Sequence, residues 1–151
     1  MIQAGIRHLL ITDSGISALV ERRVYPVRVP EEGVAPCLTY QVSSTDYPDG
    51  LDLDGTTAES QGPDTMYMRL RCWGDGADGY TQAWTLANLV VAKLRAHSGL
   101  LGPATAASTR RCKYLRVEDA ADEELVFEDA ADLHRYSVTI DVKVVYEPSE
   151  A

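Results

Sequence analysis

The chain has 151 residues, 45 % of them hydrophobic, and a formal net charge of −9. That length buries most of the apolar surface in one domain, residues 1–151, without disulfide or metal staples. The acidic balance repels nucleic-acid phosphate, which argues against a basic-groove nucleic-acid binder. No apolar run reaches the roughly 20 residues of a membrane span, and Gln3, Arg7 and His8 break the first apolar stretch, unlike a signal peptide. Cys37, Cys72 and Cys112 are widely spaced and form no C-x-x-C, so a zinc site or disulfide framework is not expected, and a reducing cytoplasm suits all three.

In chain order, Ile2, Ile6, Leu9 and Leu10 make a short helical stripe. Asp13 or Ser14 caps a second short helix carrying Ile16, Leu19 and Val20. Val24 to Val29 reads as a short strand, and its bounding prolines, Pro26 and Pro30, suit a sheet edge. Leu38, Tyr40 and Val42 alternate with Thr39, Gln41 and Ser43 as a second strand. Residues 44–64 then read as a long acidic loop with Asp46, Asp49, Asp52, Asp54, Glu59 and Asp64 and no Lys or Arg. Loops of that length inside a domain tend to be functional or disordered.

Residues 66–97 carry the clearest pattern. Met66, Met68, Leu70 and Cys72 share one strand face, and Tyr67, Arg69, Arg71 and Trp73 share the other. The following Gly74-Asp75-Gly76-Ala77-Asp78-Gly79 spells G-x-G-x-x-G, the dinucleotide-binding pattern. Two carboxylates beside a pyrophosphate, an alternating strand before the loop and no distal ribose partner argue for a plain hinge. Asp75 and Asp78 read instead as helix-start residues, with Asp78 the N-cap. The long helix runs from about Tyr80 to Ser98, with an apolar stripe of Tyr80, Ala83, Trp84, Ala87, Val90, Val91 and Leu94, widened by Leu86 and Leu89. Lys93, Arg95 and His97 suit its negative end, and Gly99 its left-handed cap, with Leu100 as the apolar contact.

After a small-residue linker, Gly102 to Ser108, three strands are expected: Arg111–Val117, Leu125–Phe127 and Arg135–Tyr146. In the last, Tyr136, Val138, Ile140, Val142, Val144 and Tyr146 oppose Ser137, Thr139, Asp141 and Lys143. Glu118-Asp119-Ala120-Ala121-Asp122 recurs as Glu128-Asp129-Ala130-Ala131-Asp132, read as two acidic turns of a meander; a calcium cage is the rival reading. The acidic loop 118–133 and the loop 44–64 suit either solvated surface or a lining past which DNA slides without sticking. The fold class is α+β: a mostly antiparallel sheet with one long helix packed on a face and short N-terminal helices.

Chemistry-bearing constellations are missing. His8, His97 and His134 are isolated, and neither G-x-S-x-G, H-E-x-x-H nor a Walker lysine occurs. Cys72 alternates with Met68 and Leu70 as a core residue. No catalytic, cofactor-binding or metal-ligating residue is assigned.

The order of the remaining motifs carries a resemblance. Val24-Tyr25-Pro26, Pro30, Pro36-Cys37-Leu38-Thr39-Tyr40-Gln41-Val42-Ser43-Ser44, Arg69-Leu70-Arg71-Cys72-Trp73, the Tyr80–Leu94 helix, Tyr136-Ser137-Val138-Thr139-Ile140-Asp141-Val142 and Val144-Val145-Tyr146 follow one another. Together they resemble the tail-completion, or tail-terminator, proteins of long-tailed phages, prophages and gene-transfer agents. The chain departs from that pattern at Cys37, where an aromatic is common, and in the acidity of its two loops.

The resemblance implies a virion structural protein, not an enzyme, with no cofactor. Such proteins form a homo-oligomeric hexameric ring on the head-proximal end of the tail tube and join it to the head's stopper or connector protein. DNA passes the lumen without specific binding, no membrane is involved, and assembly takes place in the host cytoplasm. Tyr67, Arg69, Arg71 and Trp73 are the expected interface residues, since Tyr, Trp and Arg are enriched at interface centres; the acids of 44–64 join them. A second occupant suits the same strand face, namely a layer made by the N-terminal helices. Two other functions remain open: another neck or tail-tube component, and a small ligand- or nucleotide-binding module using the Gly74–Gly79 hinge.

Overall fold

The two-residue alternation of 66–73 is the centre of a strand that pairs along its whole length. In the computed structural model of the chain, residues 2–30, 33–46, 64–102, 110–126 and 134–146 are described. They form α1 (Ile2–Ile11), α2 (Ser14–Val20), β1 (Val24–Pro26), β2 (Cys37–Asp46), β3 (Asp64–Asp75), α3 (Gly79–Ala96), β4 (Gly99–Leu101), β5 (Arg110–Val126) and β6 (His134–Tyr146). The strands make one sheet in the order β1-β2-β3-β6-β5-β4, antiparallel except for the parallel β1–β2 pair at one edge.

Met66, Met68, Leu70 and Cys72 of β3 and Val138, Ile140, Val142 and Val144 of β6 are all buried on one face. That core also holds Ile6 and Leu10 of α1, Ile16 and Val20 of α2, and Ala83, Leu86, Ala87, Val90 and Leu94 of α3. Each fully buried Leu, Ile or Val contributes about 1.5–3 kcal/mol. All three helices therefore share the inner face. The N-terminal helices pack beside α3, against β2 and β4, and do not form a second layer over Tyr67 and its neighbours.

Local chemistry sets the element ends. Asp13 is the N-cap of α2, its Oδ1 accepting from the Ile16 N–H at 3.0 Å, an interaction worth about 1 kcal/mol. Asp78 stands at the N-cap of α3, although its side chain makes no capping bond. Asp75, expected at the helix start, is the last residue of β3. The hinge glycines have packing reasons. A Cβ on Gly74 would overlap the Gly79 carbonyl oxygen, and one on Gly79 would sit 2.8 Å from Cδ2 of Tyr136. The strand and helix cross there backbone to backbone, and only glycine permits it.

Several expectations are corrected. Val24–Val29 shortens to β1, because Val27 adopts φ 66° inside a tight turn closed by Arg28 N–H on the Pro26 carbonyl at 2.7 Å. α3 ends at Ala96 with His97 as C-cap; Gly99, at φ 93°, opens β4, and Leu101 rather than Leu100 is buried. Tyr80 is exposed, its ring edge-on to Tyr136 at 6.1 Å, so the stripe begins at Ala83. The largest change is β5, where one strand replaces the two expected strands and the acidic turn between them. Glu118–Asp122 continues the strand, with a register shift between Val117 and Asp119, because β6 offers an unbroken ladder to pair with. Residues 44–46 likewise extend β2. Phe127 and the second acidic repeat, 128–132, lie outside the described residues.

The face assignment makes an asymmetric prediction. Val142→Asp buries an unpaired carboxylate and should lower stability by about 3–5 kcal/mol, whereas Lys143→Gln on the opposite face should cost under about 1 kcal/mol. Thermal melts of the two variants check it; equal melting temperatures would mean the strand faces are reversed.

Candidate functional site

With α1, α2 and α3 on the inner side, the outer face of β2, β3, β6 and β5 presents polar side chains among the described residues. Register fixes its rows: Cys37–Trp73–Ser137, Thr39–Arg71–Thr139–Ala121, Gln41–Arg69–Asp141–Asp119 and Ser44–Tyr67–Lys143–Arg116. These rows work through cross-strand pairs. Arg69 Nε donates to Asp141 Oδ1 at 2.9 Å, and that bond, then the charge itself, raises the Arg69 pKa. Both side chains are more than a third exposed, so the pair contributes only about 0.2–1 kcal/mol. Lys143 Nζ stands 5.8 Å from the centre of the Tyr67 ring.

Toward the hinge the face closes over. Arg135 grips Asp75 with two bonds, Nε to Oδ1 at 2.7 Å and an NH2 nitrogen to Oδ2 at 3.1 Å, and its guanidinium lies 6.0 Å from the Trp73 ring centre. Trp73 Nε1 donates to Thr39 Oγ1 at 3.0 Å. Trp73 is thus only 8 % exposed, and Cys37, Thr39 and Ser137 are buried with it. Burial pushes the Cys37 thiol up to about 11, against the opposing pull of Arg135. On the inner face, burial and then the neighbouring Cys37 raise the Cys72 thiol further. A protonated, buried thiol is a poor nucleophile.

The structure brings Tyr67, Arg69 and Arg71 together half-buried on the outer face, as expected. Trp73 points the same way but lies beneath Arg135, a support for the face rather than a part of its surface. Sequence reasoning missed Arg135, Asp75 and Thr39; the facing position of Asp75 and Arg135 is a matter of register, which no local pattern reveals. Asp46 and Asp64 are strand residues, Asp46 opposite Thr65 and Asp64 opposite Tyr146, and burial raises the Asp64 carboxyl. Asp49, Asp52, Asp54 and Glu59 lie outside the described residues. His8, His97 and His134 fall on α1, after α3 and at the start of β6, and among the described residues no group of three or more His, Cys, Asp or Glu side chains is placed to hold a metal.

Two outcomes follow from this geometry. Asp75→Asn removes a charge-assisted fork and should cost about 1.5–3 kcal/mol, while Asp141→Asn should cost under about 1 kcal/mol; urea melts of both variants give the comparison. Cys37 provides a pH signature. Its folded pKa is raised, so the neutral thiol stabilises fully below pH 9 and that contribution is lost as pH rises through about 11. The stability advantage of the wild type over Cys37→Ala should narrow across that window, and a constant difference in melting temperature would refute the assignment.

Comparison with known families gives a match along most of the chain. The family model described as tail completion protein gp17 matches residues 4–147. Among curated proteins, none matches the chain.

Proposed function

The chain belongs to the tail completion protein gp17 family, structural proteins of the phage tail, and from that premise we propose that it forms a hexameric ring capping the head-proximal end of the tail tube. In this reading the ring stops tube growth, then presents its far side to the head's stopper or connector protein. It is assembled in the host cytoplasm, and DNA passes its lumen without specific binding.

The observation that carries the proposal is the one-sided sheet. Among the described residues α1, α2 and α3 all cover one face, which in this reading leaves the other for neighbours. A closed ring needs two different, complementary surfaces on each copy, which a sheet with a free face and a free edge supplies. Tyr67, Arg69 and Arg71 are side-chain types favoured at interface centres, and they sit on that face half-buried rather than fully solvated. In this reading the acids of 44–64, Asp46, Asp49, Asp52, Asp54, Glu59 and Asp64, serve contacts outside the ring seam, with the tube or the lumen.

The test is to image the purified protein alone and with uncapped tail tubes by electron microscopy, and to weigh it in solution. The expected result is a mass of six copies and a ring seated on one end of each tube, with no further tube growth. A chain that stays monomeric both alone and with tubes would overturn the proposal.

A further inference from the structure

Among the described residues, Arg71 on the outer face has no answering carboxylate. Arg69 and Arg135 each have a carboxylate directly opposite on the neighbouring strand, Asp141 and Asp75. Arg71 lies in the row between them, and its cross-strand neighbours are Thr39 and Thr139, with Ala121 beyond. Its Nε is sealed from solvent without a hydrogen-bond partner, and so is Ser137 Oγ on the diagonal. That nitrogen has lost water without gaining a hydrogen bond, a cost natural structures keep only for a reason. One row further on, Lys143 faces Arg116, a like-charge pair that also lacks a carboxylate partner among the described residues.

The complementary charge lies at the edge of the same sheet. β4 covers only Arg110–Cys112 of β5, so among the described residues no strand pairs with the outer side of 113–126. Glu118 and Asp119 sit on this edge, exposed, at the register shift, and among the described residues neither has an ion-pair partner. At the opposite edge the short β1 blocks its own outer side, where Arg7 Nε donates to the Val24 carbonyl at 3.3 Å, Pro26 has no N–H, and Arg28 N–H takes the Pro26 carbonyl, while β1 covers only Leu38–Tyr40 of β2. The β5 edge is thus open and acidic, and the outer face has cations without a carboxylate partner among the described residues.

We propose that the Arg71 row of the outer face receives the Glu118–Asp119 carboxylates on the β5 edge of a second copy of this chain. The contact is face to edge, hence heterologous, the kind that propagates around a ring. It rests on the ring reading above and assigns that ring's two surfaces. Arg71, half-buried with its Nε unbonded among the described residues, gains its anion on assembly, and Lys143 with Arg116 extends the cationic strip beneath the same edge. The relief of that unpaired charge favours the ring over the single subunit.

The test uses the full chain, with oligomer mass measured over a range of concentrations. Arg71→Glu should not assemble alone, nor should the double variant Glu118→Arg, Asp119→Arg, since each sets like charges against each other. An equimolar mixture of the two should form rings of alternating subunits, because both contacts around such a ring become complementary. Arg71→Met, which keeps the stem without the charge, should weaken assembly by at least about tenfold while leaving the melting temperature of the dilute monomer unchanged or raised. A lowered monomer melting temperature for Arg71→Met, full assembly of either charge-reversed protein alone, or a mixture that stays monomeric would each overturn the pairing. Wild-type rings alongside unaffected variants would sink this pairing alone; a wild-type chain that stays monomeric even on tubes would sink the ring reading with it.

Discussion

The twelve-residue register between β3 and β6, running without a shift from Asp64 opposite Tyr146 to Asp75 opposite Arg135, decides the character of both faces of the sheet. Each strand alternates apolar and polar residues, so pairing them in phase puts Met66, Met68, Leu70 and Cys72 beside Val144, Val142, Ile140 and Val138. A slip of one residue would move every one of these side chains to the opposite face. The register is therefore held by the whole core rather than by any single contact. The same phase places Arg69 opposite Asp141 and Arg135 opposite Asp75, so the polar face is organised by the constraint that builds the core.

The one-sided helix layer follows from how little apolar surface the outer face has to cover. α1, α2 and α3 compete for a single apolar surface, and all three find room there because α3 crosses β3 in backbone contact at Gly74 and Gly79. A side chain at either position would lift the helix from the sheet. Of the glycines that spell a nucleotide motif, Gly74 and Gly79 are explained by this crossing and Gly76 by its φ of 78°. The outer face meanwhile manages its charges with cross-strand pairs, and closes over Trp73 where Arg135 bridges to Asp75. What is left is a half-buried polar surface with an uneven charge balance, suited to a partner that supplies carboxylates.

Tail completion proteins belong to an assembly, and an assembling subunit must manage its open strands before it meets its partners. The β1 edge is sealed from within by Arg7, Pro26 and the Val27 turn. The β5 edge carries acids instead, which discourages indiscriminate strand pairing while remaining legible to a basic surface. The acidic residues of Val117–Val126 thus lie along a strand edge, where composition suggests a turn.

Much of this was determined by the sequence alone. The two-residue period of 66–73 and 135–146 named the inner and outer side chains correctly, since each strand has one wholly apolar face. The apolar spacing from Ala83 to Leu94 and a cap at Asp13 or Ser14, which the structure gives to Asp13, likewise depend on neighbours within a turn or two of the chain. The tertiary structure decided what depends on distant partners. Glu118–Asp122 is strand because β6 lies alongside, Trp73 is buried because Arg135 reaches over it from sixty-two positions later in the sequence, and Gly99–Leu101 is strand because Arg110–Cys112 returns to meet it. Arg71 is the sharpest case. Its charge and its face were legible in the sequence, but its lack of an answering carboxylate among the described residues was not, because that is a property of the register across three strands.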